Sequence, residues 1–248
     1  MKKLLFVYAH PDDETFGNGG TIAKYHKLGV EVSLISATSG CKGKSGEYTF
    51  QSKEQLAAHR EGELRKACDI LGVSNLILYR YLDGGLKDVD PNELSERVYQ
   101  SIVDIKPDVI VTFPPDGITA HPDHIAISLA TDKAVLRAEQ EYSAGEEPTY
   151  YYAAIPKAVR QAMGLAEGLA PTGRIDMTEY RHLKAEALRQ HRTQVYSVDR
   201  GYPGVMQGDD SSIGSEEYYT LVRKKGQPVD VTGEEVAVLP YLELFNGQ

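Results

Sequence analysis

The sequence predicts an α/β fold, a mostly parallel sheet flanked by helices with a less regular C-terminal portion, and two patterns carry that prediction. Short β-branched or aromatic-rich apolar runs, bounded by Gly, Pro, Asn or Asp, recur at 4–9, 30–35, 76–79 and 109–113. Continuous apolar runs of that length suit strands buried on both faces. Segments of helical periodicity lie between them, in the order expected of βαβ units.

The first run is followed by a Gly-rich stretch, and a helix is expected to start near Gly20. Ser52-Lys53-Glu54-Gln55 fits a capping box, and Leu56, Arg60, Leu64, Cys68 and Leu71 follow it at helical spacing up to Gly72. Asp90-Pro91-Asn92-Glu93 opens a second helix with Pro at its first position, and Leu94, Val98, Ile102 and Ile105 form its apolar face. Later elements are less regular: a helix over about 123–139, a Tyr-rich run at 150–154, a helix over about 178–191 and a strand at 218–223. The Gly-, Asp- and Ser-rich stretch 200–215 reads as a long surface loop, either a rim or lid over a site or a disordered insertion. One domain over 1–248 is expected, with a core at 1–140 and a rim and sheet extension at 141–248.

A chain of 248 residues with 41% hydrophobic content can bury a full core. Its formal charge of −9 leaves no basic surface for a run of phosphates, and the same charge disfavours docking on anionic lipid. Nucleic acid and membrane are therefore not expected partners. The apolar run at 4–9 is too short for a secretory signal, and no stretch approaches a membrane span. Two cysteines, Cys68 on a helical stripe and Cys41 in a Gly/Lys loop, make no disulfide framework. A reducing, cytoplasmic location is expected.

Chemistry concentrates where His10-Pro11-Asp12-Asp13-Glu14 follows the first strand, at the carboxyl edge where open α/β sheets bind ligands. An imidazole with two neighbouring carboxylates is a zinc-type donor set, although an acidic helix cap would look the same. His121-Pro122-Asp123-His124 falls after the fourth apolar run, again at a strand's carboxyl end. Three of the seven histidines thus lie in two His-Pro-Asp segments at strand-to-helix junctions. Pro at the first helical position would set His121 at the cap and His124 about one turn in.

Two imidazoles and one carboxylate leave a coordination position open, as in catalytic rather than structural zinc sites. Of Asp12 and Asp13, one would bind the metal and the other act as general base; the residues alone do not order the pair. His121 is a candidate general acid or a plain helix cap. Arg60 lies on the apolar stripe of its helix, where an unpaired Arg is rare; it would hold Asp12 or another acidic group, or snorkel to the rim. Asp83, in Tyr81-Leu82-Asp83-Gly84-Gly85, would bind sugar hydroxyls or form a turn.

These segments, with Gly17 and Gly19-Gly20, Arg60-Glu61-Gly62-Glu63, Asp83-Gly84 and Pro115-Asp116-Gly117, together resemble the LmbE-like (PIG-L) N-acetylglucosaminyl deacetylase family. The likeness covers roughly the first 130 residues, and His191-Arg192-Thr193-Gln194 extends it weakly as a His-x-x-Gln element. It implies a Rossmann-like fold and Zn2+ held by His10, Asp13 and His124. It also implies Asp12 as general base, His121 as acid or oxyanion stabiliser, Asp123 orienting its neighbouring His, and Arg60 and Asp83 lining the pocket. One departure stands out: some members carry a Tyr just before the second His segment, where this chain has Ile118-Thr119-Ala120. The family's substrates include N-acetylglucosamine linked to inositol or malate, a glycolipid precursor, chitin-type sugars and cysteine-conjugate amides. Its members are often oligomers, frequently hexamers.

The expected activity is therefore metal-dependent deacetylation of an N-acetylated amino sugar. The alternatives are an amidase of the same fold acting on a thiol conjugate, and a non-catalytic sugar- or metal-binding protein. A nucleotide-binding site is disfavoured, because carboxylates occupy the turn where a pyrophosphate needs glycine. Gly43-Lys44-Ser45 fails as a phosphate loop, since Thr38 stands where that pattern requires its first glycine.

Overall fold

The computed structural model describes residues 1–245. Its elements are β1 (Lys3–Tyr8), α1 (Asp13–Lys27), β2 (Glu31–Thr38), α2 (Lys53–Leu71), β3 (Asn75–Tyr81), α3 (Pro91–Ile105), β4 (Val109–Thr112), a short turn α4 (Gly117–Ala120) and α5 (Pro122–Ala138). They continue with β5 (Thr149–Ala154), α6 (Lys157–Ala162), β6 (Gly173–Asp176), α7 (Arg181–Leu188), α8 (Val195–Gly201), β7 (Glu216–Lys224) and β8 (Gln227–Pro228). The α/β alternation is as expected. The chain divides into two compact units, one of residues 1–8, 85–175 and 218–245, the other of 9–84 and 176–217.

In the first unit the strands run in the order β1-β4-β5-β7-β6. β1 pairs parallel with β4, Leu4 opposite Val109 and Phe6 opposite Val111, and β4 pairs parallel with β5. β7 runs antiparallel to β5, so this sheet is mixed. Leu4, Leu5, Phe6, Val7, Val109, Ile110 and Val111 are fully buried, as a strand covered on both faces requires. α3 begins at Asp90, whose side chain accepts the Asn92 amide, and lays Leu94, Val98 and Ile102 against α5. Because β1, β4 and β5 are parallel, their carboxyl ends share one edge, and the chain leaves all three there.

The second unit holds the parallel pair β2–β3 with α1, α2, α7 and α8. α2 starts where the capping box places it, the Ser52 hydroxyl accepting the Gln55 amide. α1 begins at Asp13, seven residues before the expected start, and kinks at Asn18. Its glycines are packing residues rather than helix breakers: a Cβ on Gly20 would lie 1.9 Å from the Met177 sulfur. The expected helix over 178–191 is shorter, a 3-10 turn at Thr178–Tyr180 followed by α7, which stops before His191. The stretch 200–215 is not a disordered insertion. Val205 and Ile213 are buried in a cluster with Met177, Ala185, Leu188 and Val198, and burying those two side chains pins the segment down despite its polar composition.

This unit also buries an ion pair. Lys184 Nζ lies 2.8 Å from Glu217 Oε1 and donates to the Phe16 carbonyl, while Glu217 accepts the Gly20 and Thr21 amides at 3.0 and 2.8 Å. Burial alone would lower the lysine pKa, but the Glu217 charge more than offsets it and keeps the ammonium ionised. Removing one partner leaves a buried charge without compensation. Lys184→Met is expected to lower the unfolding free energy by about 3–5 kcal/mol in urea titration; a loss below about 1 kcal/mol, the range of exposed pairs, would show the pair to be dispensable.

Candidate metal and catalytic centre

The first His-Pro-Asp segment belongs to the second unit, where the Ala9 carbonyl accepts the Thr38 amide at the end of β2. His10 is buried, and its two ring nitrogens face different carboxylates. Nδ1 lies 3.5 Å from Asp13 Oδ2, and Nε2 lies 3.3 Å from Asp83 Oδ1. Asp83 Oδ2 accepts the Lys42 amide at 2.7 Å. Burial opposes the Asp83 charge, but the His10 hydrogen bond and charge, with the Lys42 amide and Arg60, hold the carboxyl down at about 2. A charged Asp83 fixes the His10 proton on Nε2, which leaves Nδ1 and the Asp13 carboxylate as adjacent lone-pair donors. Such an order, carboxylate behind imidazole, would suit a divalent cation held at Nδ1 and Asp13.

Asp12 adopts φ 120°, a left-handed conformation that costs an L side chain energy. Three contacts hold it there. Arg60 donates to the Pro11 carbonyl at 2.6 Å and to Asp12 Oδ2 at 3.2 Å, and anchors its other nitrogen on the Gly40 carbonyl at 3.0 Å. From the opposite side Glu14 Oε2 accepts the Asp12 amide at 2.9 Å. Burial pushes the Asp12 carboxyl up to about 6, with Arg60 opposing and Asp13 adding to the rise. A carboxyl with a pKa near neutrality is suited to exchanging a proton with water.

The sequence did not single out the group behind this turn. Glu14 and His191 are both fully buried, with His191 Nε2 donating to Glu14 Oε1 at 2.9 Å and Thr15 Oγ1 donating to the same oxygen at 2.5 Å. Both residues stood inside recognised motifs, Glu14 closing His-Pro-Asp-Asp-Glu and His191 opening the His-x-x-Gln element, but spacing alone did not pair residues so far apart. Glu63 turns instead to the Thr193 amide and hydroxyl, at 2.8 and 2.6 Å.

The second His-Pro-Asp segment belongs to the first unit. Its base is β4, whose following residue Phe113 packs on Tyr8 at 4.8 Å and stacks on the His124 ring at 4.0 Å, the two planes nearly parallel. His124 Nδ1 lies 3.1 Å from the Gly117 carbonyl, so it carries the proton and directs the Nε2 lone pair outward. His121 is the cap of α5, its Nδ1 accepting the Asp123 amide at 3.2 Å. The cap does not remove it from chemistry: a capping Nδ1 is unprotonated, which places the neutral ring's proton on Nε2. The His121 and His124 rings lie 4.8 Å apart. Asp123 is fully buried and accepts the Leu86 amide at 3.0 Å.

The structure thus gathers His10, Asp12, Asp13, Arg60 and Asp83 in one unit and His121, Asp123 and His124 in the other. Cys41 and Cys68 form no disulfide. Among the described residues, no helix is long and apolar enough to cross a membrane.

The His191–Glu14 pair carries a pH signature. Burial alone would lower the His191 pKa, yet the Glu14 carboxylate outweighs it and the folded value lies above the ordinary one. Its stabilisation is full below the free-histidine value of about 6.5 and is lost as pH rises through the higher folded value. The excess unfolding free energy of the native chain over His191→Leu is therefore expected to shrink as pH rises above about 6.5. An excess that grows over that range would reverse the assignment.

The family model described as "PIG-L: GlcNAc-PI de-N-acetylase" matches residues 5–135, spanning both His-Pro-Asp segments. A 1D-myo-inositol 2-acetamido-2-deoxy-alpha-D-glucopyranoside deacetylase of Saccharomonospora viridis is 32% identical over 267 aligned residues, covering 93% of this chain and 99% of that protein. Among solved structures, N,N'-diacetylchitobiose deacetylase from Pyrococcus horikoshii aligns with a TM-score of 0.66 at 23% identity, over 91% of this chain and 84% of its own. The 4-carboxy-2-hydroxymuconate hydratase GalB of Pseudomonas putida aligns with a TM-score of 0.65 at 19% identity, over 96% of this chain and 100% of its own. One fold therefore carries more than one reaction, and the assignment rests on sequence rather than on shape. By the extent of the family match and the full-length likeness, the chain belongs to the PIG-L family and is an amide-hydrolysing deacetylase.

Proposed function

We propose that this protein is a zinc-dependent hydrolase that removes the acetyl group from a small N-acetylglucosamine-containing glycoside. One observation carries the reading: the two His-Pro-Asp segments follow β1 and β4, which are hydrogen-bonded parallel neighbours, so the chain enters both segments from one sheet edge. In this reading His10, Asp13 and His124 hold the zinc. When bound, zinc supplies Lewis acidity that brings water's ionisation near neutral pH and polarises the acetamide carbonyl.

The protein's own residues do the rest. Asp12, held by Arg60, accepts the proton of the attacking water. His121 Nε2–H donates to the departing amine, and Asp123 fixes the first turn of α5 beneath it. Arg60 works from within the pocket wall. Both Asp83 oxygens already have protein donors, in His10 and the Lys42 amide, which favours orienting His10 over holding a sugar hydroxyl. The net charge of −9 favours a free glycoside over one embedded in anionic lipid.

The test is acetate release by the zinc-loaded protein from N-acetylglucosamine glycosides of inositol, malate and chitobiose type. Asp12→Ala is expected to lower kcat by roughly two to four orders of magnitude with metal content retained, as for a lost general base. His124→Ala is expected to lose the metal. Release of an amine-bearing glycoside without acetate would instead identify an amidase acting on conjugates. If no N-acetylated amino sugar yields acetate, the substrate reading fails.

A further inference from the structure

The loop between β4 and α5 is under backbone strain and is gripped by a residue from the second half of the chain. Within it, Gly117 has φ +64°, Ala120 φ +57°, and the β-branched Ile118 has φ +63° and ψ −57°, a rare and strained γ-turn conformation. Strain of this kind persists only where surrounding contacts over-determine it. A Cβ on Gly117 would lie 2.9 Å from the His124 Cβ, so the loop runs directly against that histidine, and the Gly117 carbonyl is the partner of His124 Nδ1.

The grip comes from Arg160 in α6. β5 is the parallel neighbour of β4, and the chain turns into α6 at the same edge. Arg160 is buried, only 4% exposed. Its guanidinium pairs with Asp116 and donates to the Ile118 carbonyl at 3.3 Å, while its Nε donates to the Ala166 carbonyl at 2.8 Å. Asp116 in turn accepts the Ile118 amide at 3.0 Å. Both sides of the strained Ile118 peptide backbone are therefore held by one ion pair, buried on its Arg160 side and partly exposed at Asp116.

We infer that Arg160 is a positioning residue for the metal centre, holding the Asp116–Ile118 turn so that the Gly117 carbonyl fixes the tautomer and tilt of His124. The inference rests on the zinc reading above, and it deepens that reading by giving the half of the chain beyond the family match a defined part in the site. A planar guanidinium serves where an ammonium does not, because it reaches three acceptors in fixed directions. Outer partners of metal-ligating histidines tune affinity through ring orientation, and their loss typically weakens binding by about 10- to 100-fold.

The experiment is zinc affinity by chelator competition on the full chain, paired with the melting temperature of the zinc-free protein. Arg160→Met is expected to weaken zinc binding by about tenfold or more, with Arg160→Lys recovering only part. Asp116→Asn is expected to weaken it as well, and the double variant to be no worse than Arg160→Met. Unchanged affinity in Arg160→Met alongside a lowered melting temperature would show a merely structural role and overturn the inference; if that variant does not fold, unchanged affinity in Asp116→Asn overturns it. Additive losses in the double variant also overturn it. Native protein that takes up no zinc overturns both readings, whereas native protein that binds zinc without releasing acetate sinks only the deacetylase substrate and leaves the Arg160 result standing.

Discussion

The parallel pairing of β1 with β4 is the constraint on which the rest of this structure depends. Strand pairing in register, Leu4 against Val109 through Phe6 against Val111, puts two carboxyl ends at one edge although they are separated by more than a hundred residues of sequence. Everything distinctive about the chain is attached to those ends: the acidic turn after β1, and the strained loop and capped helix after β4. Fully buried apolar side chains on both strands make slippage of that register costly.

Within each unit, buried charged groups come with partners rather than singly. Arg60 meets Asp12 and two carbonyls, Asp83 meets His10 and an amide, Glu14 meets His191, Lys184 meets Glu217, and Arg160 meets Asp116. Each set gives a charged group an opposite charge or a hydrogen-bond partner, although Arg60 Nε and His191 Nδ1 stay buried without one, and two of the sets hold backbone in conformations that ordinary packing would not retain. Strain at Asp12 and at Ile118 falls beside the two histidine segments, where function can use a fixed geometry that the free chain would not adopt. The acidic carboxyl of Asp83 and the raised one of Asp12 arise within one unit from opposite balances of the same two influences, burial and neighbouring charge.

Similarity to a hydratase as well as to deacetylases shows how little the fold alone says about chemistry. The acetamide-directed reading depends on named side chains with distinct jobs: a base kept near neutrality, an imidazole whose capping bond sets its proton on Nε2, and lone pairs directed by a carboxylate and a carbonyl behind them.

Local signals in the sequence determined a good part of this. The capping box at Ser52 and the Asp90-Pro91 start placed α2 and α3 nearly to the residue, because caps and periodicity are short-range physics. The two His-Pro-Asp segments were legible as candidates for the same reason, since residue type and position after a strand suffice to single them out. The start of α1, the early end of α7 and the course of 200–215 were not legible. There, Gly20 packs against Met177, His191 turns to Glu14, and Val205 and Ile213 enter a core assembled from distant chain. Composition cannot announce such partners, because the favourable free energy comes from contacts that exist only once the chain has folded. The same holds for Arg160, an unremarkable cation in sequence that tertiary structure alone buries against Asp116.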